Sequence, residues 1–334
     1  MTMTSLLRRR GAALAGAILS AALVLTGCGS SSDAPGDTTG AMRSFEADNG
    51  TIEIPADPQR IVAIGQAPIY LSLGVEPVGL GPKATESELA WLPPEAGQVN
   101  DAAVDVGDEV DYEKVASLRP DLIVIYDPAH VWEGGKYNEE RFQSIAPTIY
   151  IELSNTNWKT QTERLANAVG ELGTFADGKA RYDTLVTEIN GEYSELLTST
   201  TFMVLNRWGG KFTPEAGVLN MEYPGSYCTT YAEDAGLEIV PEAPADGDIS
   251  VELSVEQLSD TVADADVIIY PLGADGAVTP EFAPVLETNI WRSIPQSNDG
   301  RALGVQCDRT STYSSKIVNL ESLKEALGTL PAAG

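Results

Sequence analysis

Arginine and aromatic side chains follow several of the strands that the sequence predicts. Arg207 and Trp208 come directly after the strand-like segment 201–205, and Arg309 follows the strand-like segment 302–306. In open α/β sheets, ligands bind beyond the carboxyl ends of the strands. Because the guanidinium fork donates to carboxylate or catecholate oxygens and stacks on rings, these residues predict a site for an oxygen-rich ligand. Further candidates in such loops are Gln66, Tyr126, His130, Trp132, Trp158, Tyr223, Tyr227 and Tyr313.

The residues that most catalytic and metal sites require are sparse. His130 is the single histidine in 334 residues, which argues against zinc and manganese sites with clustered nitrogen and oxygen ligands. The sequence has neither a Gly-x-Ser-x-Gly elbow nor a Gly-rich phosphate loop. One run of carboxylates reads as a solvated loop in an acidic chain: Asp105, Asp108, Glu109 and Asp111. We therefore expect neither catalysis nor a resident metal or cofactor.

The charge of the chain excludes another class of partner. Its formal net charge is −28 and its sequence pI is about 4.2. Such a surface repels nucleic acid and anionic membranes, and no basic run offsets it. We expect no nucleic-acid partner.

The N-terminus reads as an export signal over residues 1–27. Three arginines at 8–10 precede an apolar stretch that is too short to span a bilayer comfortably. The ending Leu25-Thr-Gly-Cys28 resembles the lipobox of bacterial lipoproteins, in which the cysteine is lipidated. A Gly/Ser/Asp/Thr-rich tether over 28–44 follows. These features predict an extracytoplasmic, lipid-anchored protein, and leave open whether the general or the twin-arginine pathway exports it.

Two further cysteines fall in the second half of the chain. Cys228 and Cys307 would lie in an oxidising compartment and in the same lobe, where a disulfide is plausible. Two buried free thiols are the alternative.

Alternating strand-like and helix-like segments predict an α/β fold. The segments 158–172 and 177–197 have helical periodicity, and Gly173 reads as the break between them. After them the alternation restarts, and 255–270 echoes 112–126. We therefore predict two Rossmann-like lobes, 45–176 and 199–334, with mainly parallel sheets flanked by helices. A single long connecting helix over 177–198 joins them, and the ligand cleft lies between them.

Six blocks in order resemble the substrate-binding proteins of iron-siderophore ABC transporters. They are the segments 58–64, 107–124, 141–148, 253–258, 263–269 and 289–294. The resemblance implies a rigid, monomeric two-lobe protein that delivers a ferric siderophore to a membrane permease. With a siderophore as the ligand, the candidate residues above are the ones that we expect to contact it. The resemblance also implies that Trp291 packs in the core, and that Glu113 and Glu256 dock on the permease.

Several alternatives remain open on this evidence. The glutamates at 113 and 256 each start a predicted helix, where a carboxylate also favours the helix dipole. Cobalamin could replace the siderophore, and haem could bind with His130 as an axial ligand. A structural surface lipoprotein without a ligand is a further possibility.

Overall fold

A β-hairpin opens the folded chain in the computed structural model, which describes residues 40–127, 136–153, 157–208, 213 and 217–331. Strands β1 (Met42–Ala47) and β2 (Gly50–Pro55) pair antiparallel. The tether was expected to reach residue 44, but Arg43 donates to the carbonyl of Asn167 at 2.5 Å and Phe45 is buried. These contacts fix the segment as a strand. The predicted signal peptide, Cys28, His130 and Trp132 lie outside the described residues.

The first lobe is built on a sheet of parallel strands. In space the strands run β5-β4-β3-β6-β7, and every residue of the two central strands β3 and β6 is buried. The strands are β3 (Ile61–Gly65), β4 (Gly79–Gly81), β5 (Val104–Asp105), β6 (Leu122–Asp127) and β7 (Thr148–Glu152). The helices are α1 (Ala67–Ser72), α2 (Glu86–Leu89), α3 (Glu95–Ala102), α4 (Tyr112–Ser117) and α5 (Glu139–Gln143).

A long helix leads from the first lobe to the second. Helix α6 (Trp158–Val169) ends at Gly170, and α7 (Leu172–Glu192) starts two residues later, followed by the short α8 (Ser194–Leu197). The predicted break at Gly173 is wrong, because this residue lies inside α7. Gly170 breaks the helix instead: its φ of 87° is the left-handed conformation that ends helices and that glycine adopts without a Cβ clash.

The second lobe contains a mixed sheet. Its order is β11-β9-β8-β12-β13, with β10 also paired to β8; β8, β10, β12 and β13 pair in parallel, and β9 antiparallel with β8 and β11. The strands are β8 (Thr201–Asn206), β9 (Val218–Glu222), β10 (Glu238–Ile239), β11 (Ser250–Ser254), β12 (Val267–Leu272) and β13 (Ala302–Gln306). The helices are α9 (Thr230–Asp234), α10 (Leu258–Thr261), α11 (Ala283–Leu286), α12 (Pro295–Asn298) and α13 (Tyr313–Leu327), with 3₁₀ turns at Val255–Gln257, Val262–Asp264 and Trp291–Ser293.

The core of the second lobe contains Trp291. Trp291 is buried and meets Tyr270 and Phe282 with ring centroids 5.7 and 5.9 Å apart, in agreement with its expected core position. Strands β9, β10 and β11 were not predicted, because polar residues interrupt their apolar pattern.

Among the described residues, no helix has the length and apolarity needed to cross a membrane.

A buried carboxylate lies in the interior of this lobe. Glu222, the last residue of β9, is fully buried, accepts a hydrogen bond from Asn206 Nδ2 at 2.8 Å and another from the Ser226 hydroxyl. Burial raises the pKa of Glu222 above its ordinary value, because the charged form loses its hydration.

Gly65, at the end of β3, should not tolerate a side chain. A Cβ there would lie 2.1 Å from the carbonyl oxygen of Tyr126, and its φ is +97°. We expect Gly65→Ala to lower the free energy of unfolding by about 2–4 kcal/mol, measured by urea denaturation. The control is Gly97→Ala in α3, where a Cβ meets nothing within 4 Å; equal stability of the two variants would contradict the argument.

The raised pKa of Glu222 predicts a pH-dependent stability. Folding favours the protonated carboxyl, so the charged form costs stability as the pH rises above the unfolded-state pKa of about 4.3. The free energy of unfolding of the wild type should therefore fall relative to that of Glu222→Gln between about pH 4 and pH 7. Urea midpoints of the two proteins across this range measure the difference. A constant difference for Glu222→Gln would refute the assignment.

Candidate functional site

A cavity of about 700 Å³ lies between the two lobes. The first lobe contributes Gln66, which follows β3, and residues of the segment that contains α2. The second lobe contributes residues that follow β8, β12 and β13, including Trp208, Gly273 and Arg309. The strand ends of both sheets thus meet at one place, as the strand-end rule predicts. We call this cavity the cleft.

The centre of the cleft wall is an arginine stacked on two rings. The guanidinium carbon of Arg309 lies 5.0 Å from the ring centroid of Trp208 and 5.7 Å from that of Tyr227. These distances fall in the cation–π range. Arg309 forms no ion pair with an acidic residue of the described chain. Its donors are therefore available to a ligand that reaches the cleft.

A disulfide joins the loops that carry these residues. Cys228 and Cys307 are bonded, with their Cα atoms 5.6 Å apart, which excludes the alternative of two free thiols. Cys228 directly follows Tyr227, and Cys307 lies in the cleft wall two residues before Arg309. The bond therefore links β13 to the turn before α9 beside the stacked side chains.

Arg207 precedes Trp208 in the chain and does not line the cleft. It is absent from the described part of the wall, and its Nη1 donates to the carbonyl of Trp208 at 2.6 Å. Its backbone N–H donates to Asn206 Oδ1 at 2.8 Å, and Nε is buried with no hydrogen-bond partner among the described residues. Arg207 thus supports the backbone of Trp208 in this structure, and its predicted contact with a ligand stays a prediction.

Three of the predicted ligand contacts are core residues. Tyr126 and Trp158 are almost fully buried, and Trp158 packs on Tyr182 and Tyr313 with ring centroids 5.9 and 4.9 Å apart. Tyr313 borders a second cavity of about 500 Å³ along α7 and α13, which shares Ala90 and Trp91 with the cleft wall. None of the three lines the described cleft wall, because strand and helix ends also carry side chains that face inward, and their predicted contact with a ligand stays a prediction. Tyr223 packs against the second lobe's core and does not line the cleft.

The sequence analysis missed the contribution of the first lobe's α2 segment. Trp91 and Glu88 line the cleft, and Thr85 caps α2 through a reciprocal hydrogen bond with Glu88. Further carboxylates of the wall are Asp275, Glu281 and Asp308. Glu88, Trp91 and Glu281 do not follow a predicted strand directly, so the strand-end rule could not select them. Asp308 lies one residue before Arg309 in the same loop, and a search for arginine and aromatic side chains passed over it. A tryptophan just before Pro93-Pro94, outside any apolar repeat, was the one available signal for Trp91.

The described residues offer no metal centre. Within them, no group of three or more histidine, cysteine, aspartate or glutamate side chains could hold a metal ion.

Glu113 and Glu256 occupy equivalent positions on the two lobes. Both are exposed in the first turn of a helical segment, at α4 and at the 3₁₀ turn Val255–Gln257. The hydrogen-bonding caps of these turns are Asp111 and Ser254. Neither glutamate is itself the capping residue, so both carboxylates face solvent.

Comparisons with known proteins agree with this architecture. A profile of a family described as periplasmic binding protein matches residues 62–295. The chain is 24% identical over 335 residues to the iron(3+)-hydroxamate-binding protein FhuD of Bacillus subtilis (strain 168), covering 97% of this chain and 98% of that protein. It is 27% identical over 197 residues to the probable siderophore-binding lipoprotein YfiY of the same organism, covering 56% and 57%.

Solved structures share the fold. The siderophore periplasmic binding protein from the fuscachelin gene cluster of Thermobifida fusca matches with a TM-score of 0.69 and 24% identity, over 82% of this chain and 98% of that chain. The iron-uptake system-binding protein FeuA from Bacillus subtilis matches with a TM-score of 0.63 and 20% identity, over 85% and 100%. With the family profile covering most of the folded chain, the protein belongs to the periplasmic binding protein family.

Proposed function

We propose that this chain captures a ferric siderophore outside the cytoplasm and delivers it to the permease of an ABC importer. The observation that carries the proposal is the stack of Arg309 on Trp208 and Tyr227 in the wall of the inter-lobe cleft. Relatives named for binding iron(3+)-hydroxamate and petrobactin support it.

The cleft suits a ligand that brings its own iron coordination. Its volume of about 700 Å³ falls in the range of small-molecule sites, roughly 300–1,000 Å³. In a ferric siderophore the iron is wrapped by the oxygens of the chelator, so the protein needs shape, ring surfaces and hydrogen-bond donors. Arg309 supplies donors, and Trp208, Tyr227 and Trp91 supply rings. Iron is then cargo, and no resident cofactor or catalytic step is required.

The proposal also includes anchoring at the membrane and docking on the permease. Cys28 carries a lipid that anchors the monomeric protein at the outer face of the cell membrane, and the tether keeps the lobes near the permease. Glu113 and Glu256 contact basic pockets of the permease, one on each side of the cleft. Their exposure at matching positions of the two lobes supports this role.

Titration of the purified full chain tests the ligand. Ferric hydroxamate, catecholate and citrate complexes, cobalamin and haemin are added in turn, and quenching of tryptophan fluorescence is followed. We expect saturable quenching by a ferric complex, with the Kd raised about 10- to 100-fold in Arg309→Ala, because charged hydrogen bonds to the ligand are lost. Arg292→Ala, an exposed arginine of the same lobe, is the matched control and should leave the Kd unchanged.

Two results of that titration would overturn the proposal. Quenching by cobalamin or haemin alone would keep the fold and replace the ligand. Absence of any binding would favour a structural lipoprotein.

Substitution of the exposed glutamates tests delivery separately from capture. Glu113→Arg and Glu256→Arg should leave the Kd for the ferric complex unchanged, because neither residue lines the cleft. Each should reduce cellular uptake of the radiolabelled complex, and the double variant should reduce it most, because a reversed charge repels a basic pocket. Glu95→Arg, in the first turn of α3, is the control. Normal uptake by the double variant would exclude the docking role.

A further inference from the structure

A buried ion pair lies directly behind the stacked arginine. Lys316 Nζ and Asp308 Oδ1 are 3.5 Å apart, and their side chains are 0% and 1% exposed. Asp308 belongs to the cleft wall, but its carboxylate faces inward, where solvent and ligand do not reach it. Any influence of this pair on binding must therefore pass through other residues.

The carboxylate of Asp308 shapes the turn that presents Arg309. Its Oδ2 accepts a hydrogen bond from the backbone N–H of Thr310 at 2.9 Å and another from the Thr310 hydroxyl. Its Oδ1 accepts a hydrogen bond from Asn319 Nδ2 at 3.0 Å. Asp308 and Thr310, the residues on either side of Arg309, are bonded to each other, and Asp308 is also bonded to Asn319 of α13. The backbone of Arg309 is therefore tied to α13.

The ammonium group of Lys316 contacts the backbone of Tyr227. Nζ donates to the carbonyl oxygen of Tyr227 at 2.8 Å and to that of Asp308 at 3.5 Å. One buried group on α13 thus contacts both loops, the one that carries Tyr227 and the one that carries Arg309. The Cys228–Cys307 disulfide joins the same two loops at the residues next to Tyr227 and Asp308.

Energetics favour a positioning role over a stabilising one. A buried ion pair contributes little net stability compared with apolar residues of similar size, because desolvation offsets the attraction. A binding site does gain affinity when its side chains are ordered before the ligand arrives. We propose that Lys316 and Asp308 are positioning residues: together they hold Arg309 and Tyr227 in the geometry that receives the ligand. This inference rests on the proposed function.

A double-mutant cycle separates positioning from general stability. The variant Lys316→Met with Asp308→Asn removes both charges and nearly keeps the volume. We expect its Kd for ferrioxamine B, a ferric trihydroxamate, to rise about tenfold, because two side chains lose their order. In an Arg309→Ala, Tyr227→Ala background, the same change should alter the Kd less than about twofold, because coupled residues are not additive. Equal losses in both backgrounds would overturn the inference.

The control is an exposed lysine–carboxylate pair whose lysine lies on the same helix. Lys324 lies 2.9 Å from Glu188 on the surface, away from the cleft. Lys324→Met with Glu188→Gln should leave the Kd unchanged. If the buried double variant does not fold, Asn319→Leu removes one bond to Asp308 and keeps the ion pair. Asn319→Leu should raise the Kd of the protein that retains Arg309 and Tyr227, and it should not raise the Kd of the Arg309→Ala, Tyr227→Ala protein. An unchanged Kd in the former would contradict the proposal.

A ligand-free readout distinguishes failure of this inference from failure of the proposed function. The indole N–H resonance of Trp208, assigned with Trp208→Phe, reports the stack directly. It should broaden or split in the buried double variant and stay sharp in the Lys324 control. If no ferric complex binds the wild type, the proposed function fails, and this resonance still decides the positioning role. An unchanged Trp208 resonance in the folded double variant would refute it.

Discussion

The architecture of this protein depends on the direction of its parallel strands. Because β3 in the first lobe and β8, β12 and β13 in the second end at the same cleft, the residues after them are brought together from distant parts of the sequence. Neither sheet could form this wall alone. Helix α7 connects the lobes and packs along α13, where Arg181 pairs with Glu321 and Lys324 with Glu188. The helix that connects the lobes is thus held to the last helix of the second lobe by ion pairs.

The second lobe places unusual polar groups beneath its side of the cleft. Glu222 and Asn206 lie under the strand end that leads to Trp208, and Asp308, Lys316 and Asn319 lie under Arg309. Burying charged groups is costly unless each has partners, and here each has hydrogen bonds. A core built for stability alone would use apolar residues at these positions. Their presence behind the cleft fits a lobe in which the orientation of a few surface side chains matters more than net stability.

Sequence reasoning recovered the parts of this structure that depend on local patterns. The buried strands around 61–65, 122–127, 148–152 and 267–272 are continuous apolar runs, so their existence could be predicted. Where a strand ends is also local, which is why Gln66, Trp208 and Arg309 were selected and do lie in the wall. Tyr227 was selected for its place near the first predicted helix of the second lobe, and it lies in the wall too. The strand-end rule fails to give the direction of a side chain. Tyr126 lies near the end of β6 and Trp158 starts α6, but both face the core, because packing between elements decides the direction. The α2 segment and the buried ion pair depend on contacts between distant residues, and no local pattern could reveal them.

A crystal structure of the protein grown with ferrioxamine B tests most directly whether the cleft holds an iron complex against Arg309. Anomalous scattering at the iron absorption edge locates the metal without assumptions about the ligand. We expect one strong peak between the lobes, with chelator oxygens near the Arg309 guanidinium group and the chelate against Trp208. A peak elsewhere, such as in the cavity along α7 and α13, or iron ligated directly by protein side chains, would contradict the account.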